Sequence, residues 1–338
     1  MTKCRRVAVA AAELVYYGAN HRGDVMDKLI TRASSINRAL DQIGDKWCLL
    51  IIQEVFWGIS SFNELMAATG VSRGVLSNRL KWLQSVDCLH RKADADGGKR
   101  MRYHLTQKSV DLYDSALMAL AWERRFSDTP DMDTVELVHL RCGHTFSPQM
   151  RCAACRAELC MHDVSYRPGP GATRDARSKK IRRRSSIPVE EVPSNRTLYR
   201  NLINLVGDRW TANVIALSFH GLSRFEEFLQ ELPVATNILA DRLKFLVDQG
   251  IYWQRAYRQR PLRFEYRLTE KGEALYPWFL ALLQWGDKWC SPDGSGKPMC
   301  LTHRPCGRSL RGQATCSACG GALQAHQVKF VLETASAL

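Results

Sequence analysis

The sequence predicts an α+β chain, mainly α, made of two copies of one unit: a helical domain closed by a strand hairpin, then a small Cys/His element. Three observations predict it. The 338 residues repeat themselves at a nearly constant offset, helix-period apolar runs lead into two short strand-like runs in each copy, and one Cys/His spacing occurs twice.

The repeat is read first, because it sets the domain map. At an offset of 163, Gly44-Asp45-Lys46-Trp47 falls on Gly207-Asp208-Arg209-Trp210. Leu76, Arg79, Leu80, Lys81 and Leu83 fall on Leu239, Arg242, Leu243, Lys244 and Leu246, and Trp122 falls on Trp285. The offset then becomes 164, and His139, Cys142, Cys152 and Cys155 fall on His303, Cys306, Cys316 and Cys319. Many ordered matches with one single-residue gap indicate a duplicated two-domain unit.

Bulk properties narrow the function classes. Formal net charge is +14, which favours an anionic partner without fixing the fold. No run approaches the roughly 20 apolar residues of a membrane helix, and Glu13 interrupts the apolar start, so neither a membrane span nor a signal peptide is expected. The expected location is cytoplasmic, associated with the nucleoid. Twelve cysteines in a reducing compartment point to metal ligands or thiols rather than disulfides.

In the first copy, Ile36, Leu40, Ile43 and Trp47 have helical spacing, and a second apolar stretch, Leu49 to Trp57, continues as helix. Phe62, Leu65 and Met66 mark a short helix ending near Gly70, and Ser72 is placed to cap the next one. There Leu76, Leu80 and Leu83 share one face, while Arg73, Ser77 and Lys81 point largely the other way. Short helix, glycine turn and amphipathic second helix make a helix-turn-helix. Leu89–Ala93 and Met101–Leu105, joined across Gly97-Gly98, make a hairpin wing. A last helix spans Lys108 to Phe126, and the second copy repeats the plan with Arg258, Arg260 and Pro261 at its wing tip.

The expected domains are an N-terminal extension (1–27), a winged helix-turn-helix (28–126) and a zinc-ribbon-like element (134–166). A basic flexible linker (167–193), a second winged helix-turn-helix (194–290) and a second ribbon-like element (297–332) follow. The linker holds eight Lys/Arg and one Asp between residues 167 and 187. It reads as solvated, or as lying along DNA phosphates.

A helix of this kind fits the DNA major groove, where base edges carry a readable donor–acceptor code, while wing and helix-end cations fix phosphates. The expected DNA contacts are Ser72, Arg73, Ser77, Asn78, Arg79, Lys81, Lys99 and Arg100 in the first copy. In the second they are Thr236, Asn237, Arg242, Lys244, Arg258 and Arg260. For Arg79 and Arg242 a buried ion-paired role competes with this reading.

The second sharp signal is His-x2-Cys-x9-Cys-x2-Cys. Zinc takes four tetrahedral thiolate and imidazole ligands, and two closely spaced pairs can supply them. Two structural zinc sites are therefore expected, one per copy: His139, Cys142, Cys152 and Cys155, then His303, Cys306, Cys316 and Cys319. Reduced thiols without metal are the alternative. Cys160 and Cys300 have no counterparts and read as spare thiols or alternative ligands, while Cys48, Cys88 and Cys290 read as core residues. No phosphate-cradling loop, His-Glu-x-x-His or Gly-x-Ser-x-Gly is present, so no enzyme is expected.

Gly-Asp-Lys-Trp, Ser-Phe-Asn-Glu-Leu, Val-Leu-Ser-Asn-Arg-Leu-Lys-Trp-Leu and Tyr-His-Leu-Thr resemble the HxlR-type winged helix regulators. The second copy carries Gly-Asp-Arg-Trp, Ile-Leu-Ala-Asp-Arg-Leu and Arg-Pro-Leu-Arg-Phe-Glu-Tyr-Arg-Leu-Thr-Glu-Lys-Gly and resembles the family more closely. The resemblance covers about residues 32–126 and 195–290. It implies a bacterial transcription factor that binds double-stranded DNA, normally as a homodimer on a near-palindromic operator. Two departures follow. Some members sense electrophiles or oxidants with a Cys thirteen residues before the Trp; here Ser34 and Thr197 stand there, and a hydroxyl does not form the reactive thiolate. Two units also share one chain, so an intramolecular pseudo-dimer is expected, with a further homodimer open and the two recognition helices unequal. An adaptor that uses the same modules without specific DNA binding is the alternative. The sequence names no small-molecule effector.

Overall fold

A computed structural model describes residues 30–32, 34–93, 101–126, 135–172, 174–176, 198–291 and 296–332. The N-terminal extension and most of the basic linker lie outside the described residues. After a short strand β1 (Ile30–Arg32), the first repeat runs α1 (Ser35–Ile43), α2 (Lys46–Phe56), α3 (Phe62–Thr69) and α4 (Arg73–Ser85). The hairpin β2 (Leu89–Ala93) and β3 (Met101–Leu105) is followed by α5 (Gln107–Val110) and α6 (Tyr113–Phe126). Its tail holds β4 (Val135–His139), β5 (Pro148–Cys152) and β6 (Val164–Pro168), and β7 (Arg174–Ala176) pairs antiparallel with β1. The second repeat follows the same order: α7 (Arg200–Val206), α8 (Arg209–Ser218), α9 (Phe225–Glu231), α10 (Thr236–Asp248), β8 (Tyr252–Gln259), β9 (Leu262–Leu268), α11 (Glu270–Glu273) and α12 (Tyr276–Trp289). Its tail is β10 (Met299–His303), β11 (Arg308–Ser309), β12 (Gly312–Cys316) and β13 (Val328–Leu332).

The sequence sets most of these boundaries through caps. Ser34 accepts from the Asn37 N–H at the start of α1. Ser61 and Glu64 form a reciprocal capping box on α3, which ends at Gly70 with φ 65°. Two differences from the periodicity reading have physical causes. The first helix does not run on to Trp47: it stops at Ile43, and Asp45 caps a new helix by accepting from the Trp47 and Cys48 N–H groups at 3.2 and 3.3 Å. The chain folds back so tightly that a Cβ on Gly44 would lie 2.6 Å from the Leu40 carbonyl oxygen, and Gly207 meets Ile203 in the same way. The last helix likewise splits into α5 and α6, because Thr106 caps a single turn of its own, as Thr269 does in α11.

Asp45 does more than cap. It also accepts two bonds from Arg79 of α4, at 2.8 and 3.0 Å, with both side chains over 90% buried. This ties the helix-turn-helix to α2. Asp208 caps α8 and pairs with Arg242 of α10 in the same way, but there the side chains keep 29% and 36% of their exposure.

The two repeats pack on each other through twin contacts. α6 and α12 lie side by side, and each donates an indole N–H across: Trp122 to the Lys271 carbonyl at 2.9 Å, Trp285 to the Lys108 carbonyl at 2.7 Å. A residue contacting the twin of its own partner's position is the signature of an isologous, two-fold interface. α1 contacts α12 and α8, with Asn213 donating to Asn37 and Arg209 paired to Asp41 at 3.1 Å. The tails are exchanged altogether. β4 pairs with β13, β6 with β10, and β5 with β12, all antiparallel and all across repeats. In the last pair Met150 faces its own twin, Ala314, so the approximate two-fold axis passes between them. Two self-contained ribbons are therefore replaced by one joint tail layer, seated on α6 and α12.

The unequal exposure of the two ion pairs gives a stability contrast. Asp45→Ala leaves Arg79 buried and unpaired and uncaps α2, so it should cost about 3–5 kcal/mol. Asp208→Ala removes a cap and a solvent-screened pair and should cost about 1–2 kcal/mol. Urea unfolding of the two variants checks this, and equal losses would contradict it.

Candidate nucleic-acid interface and metal centres

The recognition helices α4 and α10 are each held by an apolar inner face, Leu76, Leu80 and Leu83 in one and Leu239, Leu243 and Leu246 in the other, all buried. Their outer faces are open. Ser72, Arg73, Asn78 and Lys81 are exposed on α4 and Ser77 is half-buried; Thr236, Asn237 and Lys244 are exposed on α10. Ser72 occupies the N-cap position without making a side-chain cap bond, so its hydroxyl is not committed to the helix. Arg73 lies over the Phe62 ring, 5.4 Å from its centroid, which steadies the guanidinium at the helix start.

Two expected DNA contacts are corrected. Arg79 is 6% exposed and bound at both ends to Asp45, and Arg242 is paired with Asp208. The Arg79 guanidinium is turned inward to the N-cap carboxylate of α2, while Arg242 pairs with that of α8 and stays partly exposed; both ties hold the recognition helices, as the competing reading allows. On the wings, Arg258 and Arg260 are exposed at the tip of the β8–β9 hairpin. Three other cations of the second wing are held by carboxylates: Arg255 and Arg267 by Glu265, Arg263 by Glu226. Lys99 and Arg100 lie outside the described residues. Arg91 and Lys92, absent from the expected contacts, are also exposed on β2 beside the first wing. Their position in a strand flanking the wing turn is the signal that points to them.

All eight expected metal ligands come together, but in crossed sets. One set is His139, Cys142, Cys316 and Cys319; the other is Cys152, Cys155, His303 and Cys306. In each set the four ligand atoms lie within 4.8 Å of one another. The expectation of one complete site per repeat is thus corrected: each repeat gives its His-x2-Cys pair to one site and its Cys-x2-Cys pair to the other. The cause is the strand pairing. β4 leads into His139 and Cys142, whereas β5 runs antiparallel to β12 and carries Cys152 away toward His303. Cys300 belongs to neither set, and Cys160, expected as a spare thiol or an alternative ligand, is instead disulfide-bonded.

The donor chemistry fits a tetrahedral ion such as zinc. Nδ1 of His139 lies 3.4 Å from Cys142 Sγ and 3.3 Å from Cys319 Sγ; Nδ1 of His303 lies 3.3 Å from Cys306 Sγ and 3.4 Å from Cys155 Sγ. Sulfur at about 2.3 Å and nitrogen at about 2.0–2.1 Å from a tetrahedral zinc would sit about 3.5 Å apart. Both imidazoles are fully buried with Nε2 unpartnered, which leaves Nδ1 as the ligating atom. Each Cys or His pair sits on a turn closed by a residue of positive φ: Gly143, Gly307, Gly320 and, at the fourth turn, Arg156 at 63°. Burial raises Cys88 and pushes Cys290 up to about 12, so neither is a ready thiolate.

The two helix-turn-helix regions match known proteins. The HxlR-like helix-turn-helix family matches residues 42–130 and 205–294, just over half of the chain. The HTH-type transcriptional regulator Mb3122 of Mycobacterium bovis is 32% identical over 137 residues, covering 40% of this chain and 87% of that protein. The HTH-type transcriptional regulator YodB of Bacillus subtilis is 34% identical over 90 residues, covering 26% of this chain and 80% of that protein. The solved reduced form of YodB aligns with 33% identity over 27% of this chain and 91% of its own, with a TM-score of 0.25. With two matched regions, each a winged helix whose recognition helix is open to solvent, the chain belongs to the HxlR-like helix-turn-helix family of transcriptional regulators, as a tandem of two copies.

Proposed function

We propose that the chain is a sequence-specific DNA-binding regulator, acting in the cytoplasm on the nucleoid, whose two winged helices work as a covalent pseudo-dimer on an operator with two unequal half-sites. The observation that carries this reading is the reciprocal packing of twin elements, with Trp122 and Trp285 each bonded across to the other repeat. That packing gives one chain the two related DNA-reading helices that a homodimer assembles from two. The helices are not equivalent. Ser72-Arg73-Gly74 and Ser77-Asn78 stand where the second copy has Ala235-Thr236-Asn237 and Ala240-Asp241. Asp241 is exposed, and a carboxylate there would accept from a cytosine amino group or repel a phosphate, choices Asn78 does not present. We assign base contacts to Arg73, Ser77, Asn78, Thr236 and Asn237, and phosphate contacts to Ser72, Lys81, Lys244, Arg258 and Arg260, with Lys99 and Arg100 on the first wing.

Binding-site selection followed by footprinting tests this. One preferred site with two dissimilar half-sites is expected, with affinity falling steeply as salt rises. Arg73→Ala should relax specificity in one half-site at about 1–3 kcal/mol, and Asn237→Ala in the other. A strict palindrome read by one repeat contradicts the proposal, and a response flat in salt would favour an adaptor.

In the same reading two zinc ions are structural. Four protein ligands leave no open coordination position, and each ion joins tail segments of both repeats. The crossing makes a specific prediction about metal content. Cys142→Ser with Cys316→Ser strikes one site and should leave about one zinc per chain, whereas Cys142→Ser with Cys152→Ser, both in one repeat, strikes two and should leave about none. Elemental analysis of the purified variants reads the difference; the reverse order would mean that each repeat closes its own site. Chelation should lower the thermal midpoint of the whole chain rather than release one tail.

A further inference from the structure

The duplication provides an internal control for a cavity. In the first repeat, α2, α5 and α6 enclose empty space of about 550 Å³, part of it open to solvent, closed on the far side by Leu198 and Tyr199 of the second repeat and by Phe330 of β13. The walls are mostly aliphatic and aromatic, with Phe56, Trp57 and Tyr113 among them and Gln53 and Ser109 as the polar exceptions, and among the described residues no charged side chain lines it. Tyr113 is 93% buried by its 7% exposure, yet its hydroxyl has no partner.

The corresponding place in the second repeat is filled. Ala116 lines the cavity; its twin is Phe279, 1% exposed, whose ring lies 5.3 Å from that of Phe219. The twin of Tyr113 is Tyr276, and its hydroxyl meets that of Tyr166 at 2.9 Å. The twin of Tyr166 is Phe330, which has no hydroxyl to offer. Two substitutions between the repeats thus open a space the size of a benzyl group and orphan one buried hydroxyl beside it. The flanking ring contacts survive in both: Phe56 with Tyr113 at 5.9 Å matches Phe219 with Tyr276 at 5.3 Å, and Trp57 with Phe330 at 4.9 Å matches His220 with Tyr166 at 4.4 Å.

We propose that this cavity is a binding site for a small, neutral, monocyclic aromatic molecule carrying one hydrogen-bonding group, present in the first repeat and absent from the second. The ring takes the place that the Phe279 side chain fills in the twin, and the polar group takes the part of the Tyr166 hydroxyl toward Tyr113. Mostly apolar walls with no charge to pair disfavour ionised ligands, because a buried unpaired charge is costly. An unsatisfied buried hydroxyl likewise favours a ligand that can pair with it over one that cannot. One wall is α2, the helix whose cap Asp45 holds the recognition helix, so the occupant bears on an element that the DNA-reading face depends on.

The test uses the full chain and needs no DNA, so its outcome is independent of the operator reading. 4-Methylphenol, toluene and 4-methylbenzoate are titrated calorimetrically. Saturable binding is expected for the first two, with the phenol tighter, and none for the benzoate. Ala116→Phe, which copies the second repeat, should abolish binding of both neutral probes; Ala116→Met serves if that variant does not fold, with at least tenfold loss. Tyr113→Phe should weaken the phenol about tenfold and leave toluene unchanged. Binding undiminished in the folded Ala116 variant, equal binding of the benzoate, or no saturable binding of either neutral probe overturns the proposal.

Discussion

The exchange of tails across an approximate two-fold axis is the constraint on which the rest of this structure depends. Neither repeat can finish its own Cys/His element: the strand that would complete β4 comes from the other half as β13, and the strand beside β5 is its own twin. A short tail of this kind has little core of its own, and here it is sandwiched with its twin and laid on α6 and α12. Gln284 of α12 grips the joint layer at Gly312, both donating to its carbonyl and accepting from its N–H. The axis therefore fixes the tails, the crossed ligand sets and the α6–α12 seam together, and a change to one is felt by the others.

A second consequence concerns charge. The family-like Gly-Asp-Lys/Arg-Trp and Asn/Asp-Arg-Leu segments invite a DNA-reading interpretation, yet their most prominent ionic residues face each other inside the fold. Asp45 satisfies two orphan N–H groups of α2 and two guanidinium nitrogens of α4, so the cost of burying it is offset by four bonds. With Arg79 and Arg242 held in ion pairs, the outer faces keep short polar side chains and one lysine each, with Arg73 at the start of α4 as the remaining arginine. Short polar side chains discriminate by geometry rather than by charge, and under the proposed function the phosphates fall to cations at the helix ends and wings.

How much of this was legible in the sequence follows from the range of each interaction. Apolar faces, the glycine turn and the wing hairpin are local, and Gly70, Leu76–Leu83 and the strands Leu89–Ala93 and Met101–Leu105 fall where the pattern puts them, whereas Ser72 takes the N-cap position without a side-chain cap bond and the capping box at Ser61 was not read. The eight residues of the two Cys/His groups were legible too, because metal-ligand chemistry selects residue types and short spacings. Their partition was not. His-x2-Cys and Cys-x2-Cys pairs are the same whichever half completes them, and only the antiparallel meeting of β5 with β12, a contact between residues more than 160 apart, decides it. The split of the last helix was hidden for a different reason: a Thr cap inside an apolar-periodic run interrupts the helix without disturbing the period.

Duplication within one chain also removes the identity that a homodimer imposes, and the two halves have used that freedom unevenly. Scaffold positions stay paired: Asp45 with Asp208, Trp122 with Trp285, every residue of the two Cys/His groups with its twin. Divergence gathers where twins do not need to match. On α6, Glu123 reaches across to accept from the Leu202 N–H at 2.7 Å and the Asn201 amide at 3.1 Å at the start of α7. Its twin is Gly286, which lets α12 approach so closely that a Cβ would meet the Ser35 carbonyl oxygen at 2.2 Å. One half thus closes its seam by backbone contact and the other by a buried carboxylate, whose pKa is raised by that burial. The seam is accordingly tight beside α1, and it is on the looser side, near Leu198 and Tyr199, that the first repeat keeps its cavity. The asymmetry of the interior and the asymmetry of the recognition helices then have one origin: two copies bound to a common axis, free to differ wherever the axis does not hold them.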